Sequence, residues 1–463
     1  MAARDGTNHR STRGRLLIAV LGAGTLLTTA LVSEAPGATL TGDVTHRPQR
    51  EDRDRHDGWT SAWGAAVQRP TPGTADTGPN WSKEGFDNDS LRQIVRVTTG
   101  GRQLRVRLSN RYGRTPLRIR SAAVARTAKG AATRPGTSRP LRFDGALGAT
   151  LAPGTDRASD ALTLTTRPGE RLTLTLHTGP RTGPATFHRF MTGTSYRAQG
   201  DHVRDSSARP FTEHTSSWYY LAGVDVRRHP ATPSRERAGS IAVYGDSLVD
   251  GVGSTPGRDN RFTDALARRL AHISPQPPGL LNAGIAGNKL LHPAPCYGAS
   301  GISRFTRDAL DQPGVRTVII HLGANDIGAQ ASGDPCAQPA PDVTAAQLIA
   351  GHKTLIRAAH ARGIKAIGAT IIPLKGARFP FWTERGERIR QQVNHWVRTS
   401  HAYDAVLDTA KALSNPHGDP ATPNPTLVFD DGVHPNDKGH QALADAVDLR
   451  ELYLAGVAGP PGA

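Results

Sequence analysis

Four short polar segments of this chain hold side chains that could do chemistry. In chain order they are Gly245-Asp246-Ser247-Leu248, Asn282-Ala283-Gly284-Ile285-Ala286-Gly287-Asn288, Gly323-Ala324-Asn325-Asp326 and Asp431-Gly432-Val433-His434. A serine hydroxyl is a weak nucleophile unless a base takes its proton, and the base works better when a carboxylate fixes its tautomer. Ser247, His434 and Asp431 can fill these three roles. Because Asp431 and His434 are three residues apart, one loop could deliver both.

The same segments contain hydrogen-bond donors for an oxyanion. When a serine attacks a carbonyl group, negative charge develops on the carbonyl oxygen and needs preorganised donors. The backbone N–H groups of Ser247 and Gly287 and the side-chain amide of Asn325 supply three such donors. The sequence therefore predicts a hydrolytic site made of Ser247, Asp431 and His434 with an oxyanion hole made of Ser247, Gly287 and Asn325.

Each of these residues also has an ordinary structural interpretation. Ser247 could cap a helix, because serine side chains commonly accept from the first backbone N–H groups. Asn325 could do the same for the next helix, Gly287 could serve only a tight turn, and His434 could be a loop histidine. The occurrence of Asp431 beside His434, together with the other segments, favours the catalytic interpretation.

Other chemistries find less support in the sequence. His434, Asp437 and His440 could be metal ligands, but no further Cys, His or Glu set stands at a recognised spacing. The segment Gly251-Val252-Gly253 lacks the full dinucleotide-binding fingerprint, and the Gly-x-Ser-x-Gly elbow of the α/β-hydrolases is absent. The sequence therefore favours neither a metal site at these residues nor these two rival folds.

The four segments follow short apolar runs, which predict the strands that must position them. These runs are Ile241 to Tyr244, Gly279 to Asn282, Val315 to Leu322, Ile364 to Ile371 and Ala405 to Leu407. Between them, apolar residues at three- and four-residue spacing predict helices at Arg261 to Ala271, Ser303 to Leu310, Ala345 to Ala361, Arg385 to Thr399 and Asp437 to Leu454. This alternation predicts a doubly wound α/β domain, in which ligands bind beyond the carboxyl ends of the strands.

In the region before this domain, apolar residues recur at every second position, which is typical of strands. Apolar residues alternate with polar ones at Leu91 to Val97 and Leu104 to Leu108, and similar runs follow as far as Val226. Seven or more short strands without a helix predict an all-β sandwich, with a jelly roll as a reasonable topology. Six aromatic residues of this region could form a sugar-stacking platform, but alternation places most of them in the core. They are Trp59, Trp63, Trp81, Trp218, Tyr219 and Tyr220.

Taken together and in order, the four polar segments resemble the SGNH hydrolase family, also called GDSL lipases and esterases. The resemblance covers about Gly239 to Leu454 and implies a flavodoxin-like three-layer α/β/α domain, no cofactor, and acyl-ester hydrolysis through an acyl-enzyme. The family's three-residue spacing selects Asp431 over the adjacent Asp430, which is then a loop or capping residue. The β-rich region, with Trp59, Gly200-Asp201-His202 and Ser217-Trp218-Tyr219, is similar to the front domain of secreted bacterial arylesterases and xylan-associated acyl hydrolases.

The first 38 residues have the plan of a secretory signal peptide. Basic residues between Arg4 and Arg15 precede an apolar run from Leu16 to about Val32, and small residues follow as far as Ala38. Cleavage near Ala35 to Ala38 would remove the apolar run, and the mature protein would then have no stable membrane insertion. The alternative is that the run is retained as a membrane anchor, although it is short for a membrane span. The expected organisation is a signal peptide (1–38), a charged linker (39–57), the β-sandwich domain (58–228), a linker (229–239), the hydrolase domain (240–456) and a tail (457–463).

Charge and cysteine content are consistent with an exported protein. The net charge is +17, but only eight of the 57 basic residues are Lys and the Arg are scattered, so the sequence does not favour nucleic-acid binding. The two cysteines, Cys296 and Cys336, would meet an oxidising compartment in which a disulfide persists. We predict that they pair and thereby join the loops after the second and third strands of the α/β domain.

Our leading hypothesis is a secreted carboxylic ester hydrolase acting on short acyl esters, either small aryl esters or acyl groups linked to a polysaccharide. A lipase with longer acyl substrates is the alternative. A third hypothesis is a secreted carbohydrate-binding protein with an inactive α/β domain. The complete set of five site residues disfavours the third hypothesis.

Overall fold

The computed structural model describes residues 58–73, 78–190, 192–227 and 239–452. The predicted signal peptide, the charged linker and the tail lie outside these residues, as does the predicted interdomain linker apart from its last residue. In the described part of the chain, no helix combines the length and the apolar character needed to cross a membrane.

The first described region is built from antiparallel strands. Its strands are β1 (Trp59–Gly64), β2 (Asp89–Arg96), β3 (Gly101–Ser109), β4 (Leu117–Arg126), β5 (Arg139–Pro140), β6 (Ala149–Leu151), β7 (Asp156–Ala158), β8 (Leu162–Thr166), β9 (Arg171–Thr178), β10 (Phe187–His188), β11 (Ser195–Gln199), β12 (Glu213–Thr215), β13 (Trp218–Tyr219) and β14 (Leu221–Arg227). One sheet has the order β1-β14-β3-β7 with β8 beside β3. A second has the order β12-β11-β2-β9-β4-β5 with β6 beside β4, and β10 pairs with β13.

The core of this region lies between the two larger sheets. Alternate residues such as Leu104 and Val106 of β3 and Leu172 and Leu174 of β9 are fully buried in one apolar cluster. The six aromatic side chains named above are also buried, which agrees with the core interpretation. The predicted β-sandwich is therefore confirmed.

The second region is an α/β domain around a five-stranded parallel sheet. Its strands are β15 (Ser240–Gly245), β16 (Gly279–Gly284), β17 (Val315–His321), β18 (Lys365–Ala369) and β19 (Ala405–Leu407), in the order β16-β15-β17-β18-β19. The α-helices are α1 (Ser247–Asp250), α2 (Phe262–Ile273), α3 (Gly301–Phe305), α4 (Ala324–Ser332), α5 (Ala345–His360), α6 (Glu384–Thr399), α7 (Thr409–Leu413) and α8 (Asp437–Asp445). Helix α8 packs on α2 and α7, whereas α5 packs on α3 and α6. These two groups flank the sheet, and the strand order is the flavodoxin-like one, which confirms the predicted fold class.

Three local details differ from the sequence-based prediction. The alternating run that ends at Val226 forms two strands, β13 and β14, which are separated at Tyr220, a residue with a left-handed φ of 58°. The helix predicted from Ser303 begins as α3 and continues as a π-helical turn over Thr306–Leu310. The last predicted helix ends at Asp445, and a short 3₁₀ turn follows at Leu449–Leu452, because the Asp448 side chain accepts from the Arg450 backbone N–H (3.0 Å) and so competes with helix continuation.

The sandwich and the α/β domain share buried hydrogen bonds. The Thr98 hydroxyl, just after β2, donates to the carbonyl of Leu280 (3.0 Å), and the Leu280 N–H donates to the Thr98 hydroxyl (2.8 Å). The Ser61 N–H of β1 donates to the Ser240 hydroxyl at the start of β15 (2.9 Å). The junction is thus a packed and hydrogen-bonded contact.

Candidate active site

The carboxyl ends of β15, β16 and β17 meet at one edge of the sheet, because the three strands are parallel neighbours. Gly245 ends β15, Gly284 ends β16 and His321 ends β17. The first three polar segments predicted from the sequence lie at these strand ends. The chain brings the fourth segment, which holds Asp431 and His434, to the same edge.

Ser247 is the first residue of the short helix α1. The residue that caps this helix is Asp246, whose carboxylate accepts from the Leu248 N–H (3.3 Å). Ser247 is therefore not the cap. Its hydroxyl instead lies 2.7 Å from Nε2 of His434.

His434 is held by the carboxylate of Asp431. Its Nδ1 lies 2.5 Å from Oδ2 of Asp431, and because an ionised carboxylate only accepts, Nδ1 carries the proton. In the neutral ring Nε2 then carries no proton and can accept from the hydroxyl of Ser247. This is the tautomer that a general base for the serine requires.

Asp431 is kept ionised by its surroundings. Partial burial by itself would raise the pKa of this carboxyl, but the His434 ring and the backbone N–H groups of Val433 and His434 outweigh it, so the pKa lies below the ordinary value. Both N–H groups donate to Oδ1 at 2.9 Å. The neighbouring Asp430 is exposed, and the structure places Asp431, not Asp430, against the histidine.

The two further oxyanion candidates lie on adjoining loops. The side-chain amide of Asn325 donates to the backbone carbonyl of Asn288 (3.1 Å), the residue that follows Gly287. Asn325 is not a helix cap, since the N-cap residue of α4 is Gly323. Gly287 has a φ of 78°, and a Cβ at this position would lie 2.4 Å from the ring of Tyr297. The positive φ and the nearby ring therefore both require glycine at this position.

All five predicted site residues are partly accessible to solvent. Each of them is half-buried; they are Ser247, Gly287, Asn325, Asp431 and His434. The structure therefore joins Ser247, His434 and Asp431 through direct hydrogen bonds and brings Asn325 to the loop that carries Gly287. An arrangement of this kind can deliver a serine oxygen to a carbonyl carbon at the surface.

One buried arginine that supports this edge was not predicted from the sequence. Arg304 of helix α3 is fully buried and donates to the carbonyls of Gly245 (2.7 Å) and Ala283 (2.9 Å) and to the side chain of Asn288 (2.9 Å). It thus clamps the ends of β15 and β16 to the loop after β16. The available signal was its position beside Phe305 in an apolar helix pattern, where an arginine is unusual.

Asp326 and Lys289 also support the loop after β16. The Asp326 carboxylate accepts from the N–H groups of Leu290 (2.7 Å) and Leu291 (2.9 Å), and burial raises its pKa to about 6. Lys289 donates to the carbonyls of Ala337 (2.7 Å) and Pro339 (2.5 Å). These contacts join the second polar segment to the loop after α4.

The same two loops are joined covalently. Cys296 and Cys336 form a disulfide, as the sequence predicted. The hydroxyl of Tyr297, whose ring packs on Gly287, lies 2.5 Å from the carboxylate of Asp334. The disulfide therefore lies at the rim of the predicted site.

The residues that could have formed a metal site have other partners. Asp437 accepts from the Thr255 N–H (2.7 Å), and His440 accepts from the Phe262 N–H (3.2 Å) through Nδ1. Within the described residues, no group of three or more His, Cys, Asp or Glu side chains is arranged to hold a metal ion.

Comparison with known proteins adds a family match over the α/β domain. Residues 243–442 match the model of the GDSL-like lipase/acylhydrolase family. No curated protein matches the chain.

Several solved structures are similar to about half of this chain. The native aryl esterase of M. smegmatis is 19% identical over 46% of this chain and 99% of its own, with a TM-score of 0.37. The lipase/acylhydrolase of Enterococcus faecalis is 21% identical over 45% of this chain and 92% of its own, with a TM-score of 0.35. A GDSL-like lipase of Bacteroides thetaiotaomicron is 16% identical over 48% of this chain and 91% of its own, with a TM-score of 0.35.

The parallel sheet and the family match define the class of protein: the chain is a carboxylic ester hydrolase of the three-layer α/β/α type. More particularly, its residues 243–442 match the GDSL-like lipase/acylhydrolase family.

Proposed function

We propose that this enzyme hydrolyses short acyl esters through an acyl-enzyme on Ser247. The observation that carries the proposal is the continuous hydrogen-bonded series from Ser247 Oγ to His434 Nε2 (2.7 Å) and from His434 Nδ1 to Asp431 Oδ2 (2.5 Å). It supplies a nucleophile, a base and a carboxylate that orients the base.

The proposed reaction has two steps. Ser247 Oγ attacks the ester carbonyl carbon while its proton passes to Nε2 of His434, and the alcohol leaves with that proton as the acyl-enzyme forms. Water then attacks the acyl-enzyme, gives a proton to His434, and releases the carboxylic acid as Ser247 regains its proton. In both tetrahedral intermediates the oxyanion accepts from the backbone N–H groups of Ser247 and Gly287 and from the Asn325 amide.

One observation favours substrates with an apolar acyl or aryl group. Phe429 and Phe379 are among the large hydrophobic side chains exposed on the surface, with 46% and 38% of their surface accessible. Phe429 lies two residues before Asp431, and Phe379 follows Arg378, whose N–H donates to the Asp431 carbonyl (2.9 Å). These two residues adjoin the loop of the proposed base in the chain or through Arg378, and their exposed rings would supply an apolar surface for an aryl ester or, in the lipase alternative, for a longer chain.

Export completes the proposal. We propose that residues 1–38 are a secretory signal, that 39–57 and 229–239 are linkers, and that the mature secreted enzyme consists of the sandwich (58–228) and hydrolase (240–456) domains. The disulfide is consistent with an oxidising compartment. N-terminal sequencing of the protein recovered from culture medium tests this, with a start near residue 36 to 39 expected; an intact Met1 on the exported protein would contradict it.

Hydrolysis of p-nitrophenyl acetate tests the chemistry. Ser247→Ala should lower kcat by several orders of magnitude, whereas Ser206→Ala, at an exposed serine of the sandwich, should leave it unchanged. Equal rates for wild type and Ser247→Ala would refute the proposed nucleophile.

A substrate series tests the acyl group and the alcohol. p-Nitrophenyl esters from acetate to palmitate should give the highest kcat/KM at short chains, and a maximum at long chains would favour the lipase alternative. Acetylated xylan, acetylated pectin, aryl esters and triglycerides, each compared with Ser247→Ala, then identify the alcohol. Binding of these polysaccharides without turnover would support the carbohydrate-binding hypothesis.

A further inference from the structure

His188 is a buried residue of the sandwich that reaches into the hydrolase domain. It lies in β10, its side chain is 3% exposed, and its ring is 5.5 Å from that of Trp218. Its Nδ1 lies 2.8 Å from the carbonyl oxygen of Ala66, and its Nε2 lies 3.0 Å from Oδ1 of Asp250. The reaction proposed above does not use His188 or Asp250.

The hydrogen bonds of His188 require that both ring nitrogens carry a proton. A carbonyl oxygen only accepts, so Nδ1 donates to Ala66. The Asp250 carboxylate accepts through both oxygens, because its Oδ2 receives the Ala286 N–H at 2.7 Å. Nε2 therefore donates as well, and His188 and Asp250 form a buried ion pair. Burial alone would lower the pKa of His188, but the charge of Asp250 outweighs it and raises this pKa above the ordinary value.

Asp250 connects the two elements that carry the proposed nucleophile and oxyanion donor. It is the last residue of helix α1, which begins with Ser247, and its backbone N–H donates to the Asp246 carbonyl (2.9 Å). Its carboxylate holds the N–H of Ala286, the residue before Gly287. A Cβ on Gly284 would lie 2.2 Å from the Asp250 nitrogen, so the helix turn and the loop are in direct contact.

We propose that His188 is a positioning residue of the sandwich domain, which holds Asp250 and through it sets the loop of Gly287 at the oxyanion position. This inference rests on the proposed function of Ser247 and Gly287. It assigns the sandwich a direct part in the turnover rate, beyond packing against the hydrolase domain. Loss of the contact should release the loop, and a displacement of about 1 Å at a catalytic group can lower a rate roughly 100-fold.

The protonation of His188 makes this role dependent on pH. The charged side chain that acts on the ring is Asp250 on α1. Arg261, which is paired with Asp264, lies beside Trp218, with its guanidinium 5.9 Å from that ring's centroid. The raised pKa means that the ion pair persists to a higher pH than an ordinary histidine would allow and is lost as the pH rises through that pKa. Turnover should therefore decline on the alkaline side.

The experiment compares His188→Ala and His188→Gln in the full-length enzyme with p-nitrophenyl acetate. We expect His188→Ala to lower kcat roughly 10- to 100-fold with little change in KM. Because a glutamine amide can still donate to Asp250, His188→Gln should recover part of kcat and should lack the alkaline decline of the wild type. A wild type without an alkaline decline, or a decline that persists in His188→Gln, would overturn the proposal even if His188→Ala failed to fold.

Thr98→Val is the matched control. It removes buried hydrogen bonds across the same junction but does not contact Asp250. It should lower the melting temperature and leave kcat of the folded enzyme at the wild-type value. A fall in kcat equal to that of His188→Ala would show that His188 acts only through the stability of the junction, and would refute a positioning role.

Ser247→Ala, assayed in parallel, separates this proposal from the proposed function. Full activity of Ser247→Ala would refute the nucleophile regardless of His188. Inactive Ser247→Ala together with unchanged kcat in His188→Ala would refute only the positioning role.

Discussion

The side-chain amide of Asn325 donates to the backbone carbonyl of Asn288 at 3.1 Å, and this bond joins the loop after β17 to the loop after β16. One N–H of the amide is directed to Asn288, and the proposed oxyanion would accept from the other. Since Gly287 directly precedes Asn288, the bond also holds the two proposed oxyanion donors beside each other.

Substitution of Asn325 should therefore affect turnover more than substrate binding. We predict that Asn325→Ala lowers kcat for p-nitrophenyl acetate roughly 100- to 1000-fold, as expected for the loss of one oxyanion donor, with a small change in KM. Asn415→Ala is the control, because Asn415 is also partly buried and bonds a backbone N–H, that of His417, but lies outside the site. An Asn325→Ala enzyme with wild-type kcat would exclude this residue from the oxyanion hole.

The adjacent aspartates Asp430 and Asp431 provide a test of the base. Asp431→Asn places an amide N–H where Nδ1 of His434 must donate, which favours the tautomer that cannot accept from Ser247. We predict a fall in kcat on the order of 10⁴. Asp430→Asn, at the exposed neighbour, should keep wild-type kinetics. If the two variants lost activity equally, or if only Asp430→Asn did, the assignment of Asp431 would be wrong.

Gly287 should tolerate no side chain. In Gly287→Ala, a methyl group would lie 2.4 Å from the Tyr297 ring at a φ of 78°, so the ring or the loop must move and the proposed oxyanion N–H with it. We predict at least about a 10-fold loss of kcat.

Gly363→Ala separates backbone strain from this clash. Gly363 has a similar φ of 67°, and a Cβ there would meet nothing within 4 Å. It should lose about 1–2 kcal/mol of stability for the left-handed conformation and retain full kcat. Equal kcat in Gly287→Ala and wild type would contradict a role for this loop.

The alternation of strands and helices in the α/β domain and the polar residues at the strand ends were predictable from the sequence. Apolar runs typical of buried parallel strands precede Ser247, Gly287 and Asn325, and parallel strands present their carboxyl ends at one edge. Asp431 and His434 could be added because their spacing suits a single loop. Local pattern and general sheet geometry were sufficient for these residues.

The supporting residues could not be predicted in the same way, because their roles depend on contacts between distant segments. Arg304 bonds the carbonyls of Gly245 and Ala283, which are not distinguished by residue type. His188 meets Asp250 across 62 residues and two domains. Tertiary packing, not periodicity, determines where such side chains lie.

The buried His440 predicts how stability changes with pH. Its Nδ1 accepts from the Phe262 N–H (3.2 Å) and its Nε2 donates to the Val252 carbonyl (3.1 Å), so the ring is neutral. Burial lowers its pKa from 6.5 to about 4. Between these values the unfolded chain binds more protons than the folded one, so stability falls as the pH decreases from 6.5 to 4.

We predict that this residue alone removes about 3 kcal/mol of the free energy of unfolding over that range, at 1.36 kcal/mol for each pKa unit. Urea unfolding between pH 7 and pH 4 measures the slope, and His440→Gln should unfold at lower urea at neutral pH but show a shallower loss with acid. His401→Gln, at an exposed histidine, should keep the wild-type slope. A wild-type slope in His440→Gln would mean that the His440 ring is protonated in the folded enzyme, contrary to its two hydrogen bonds.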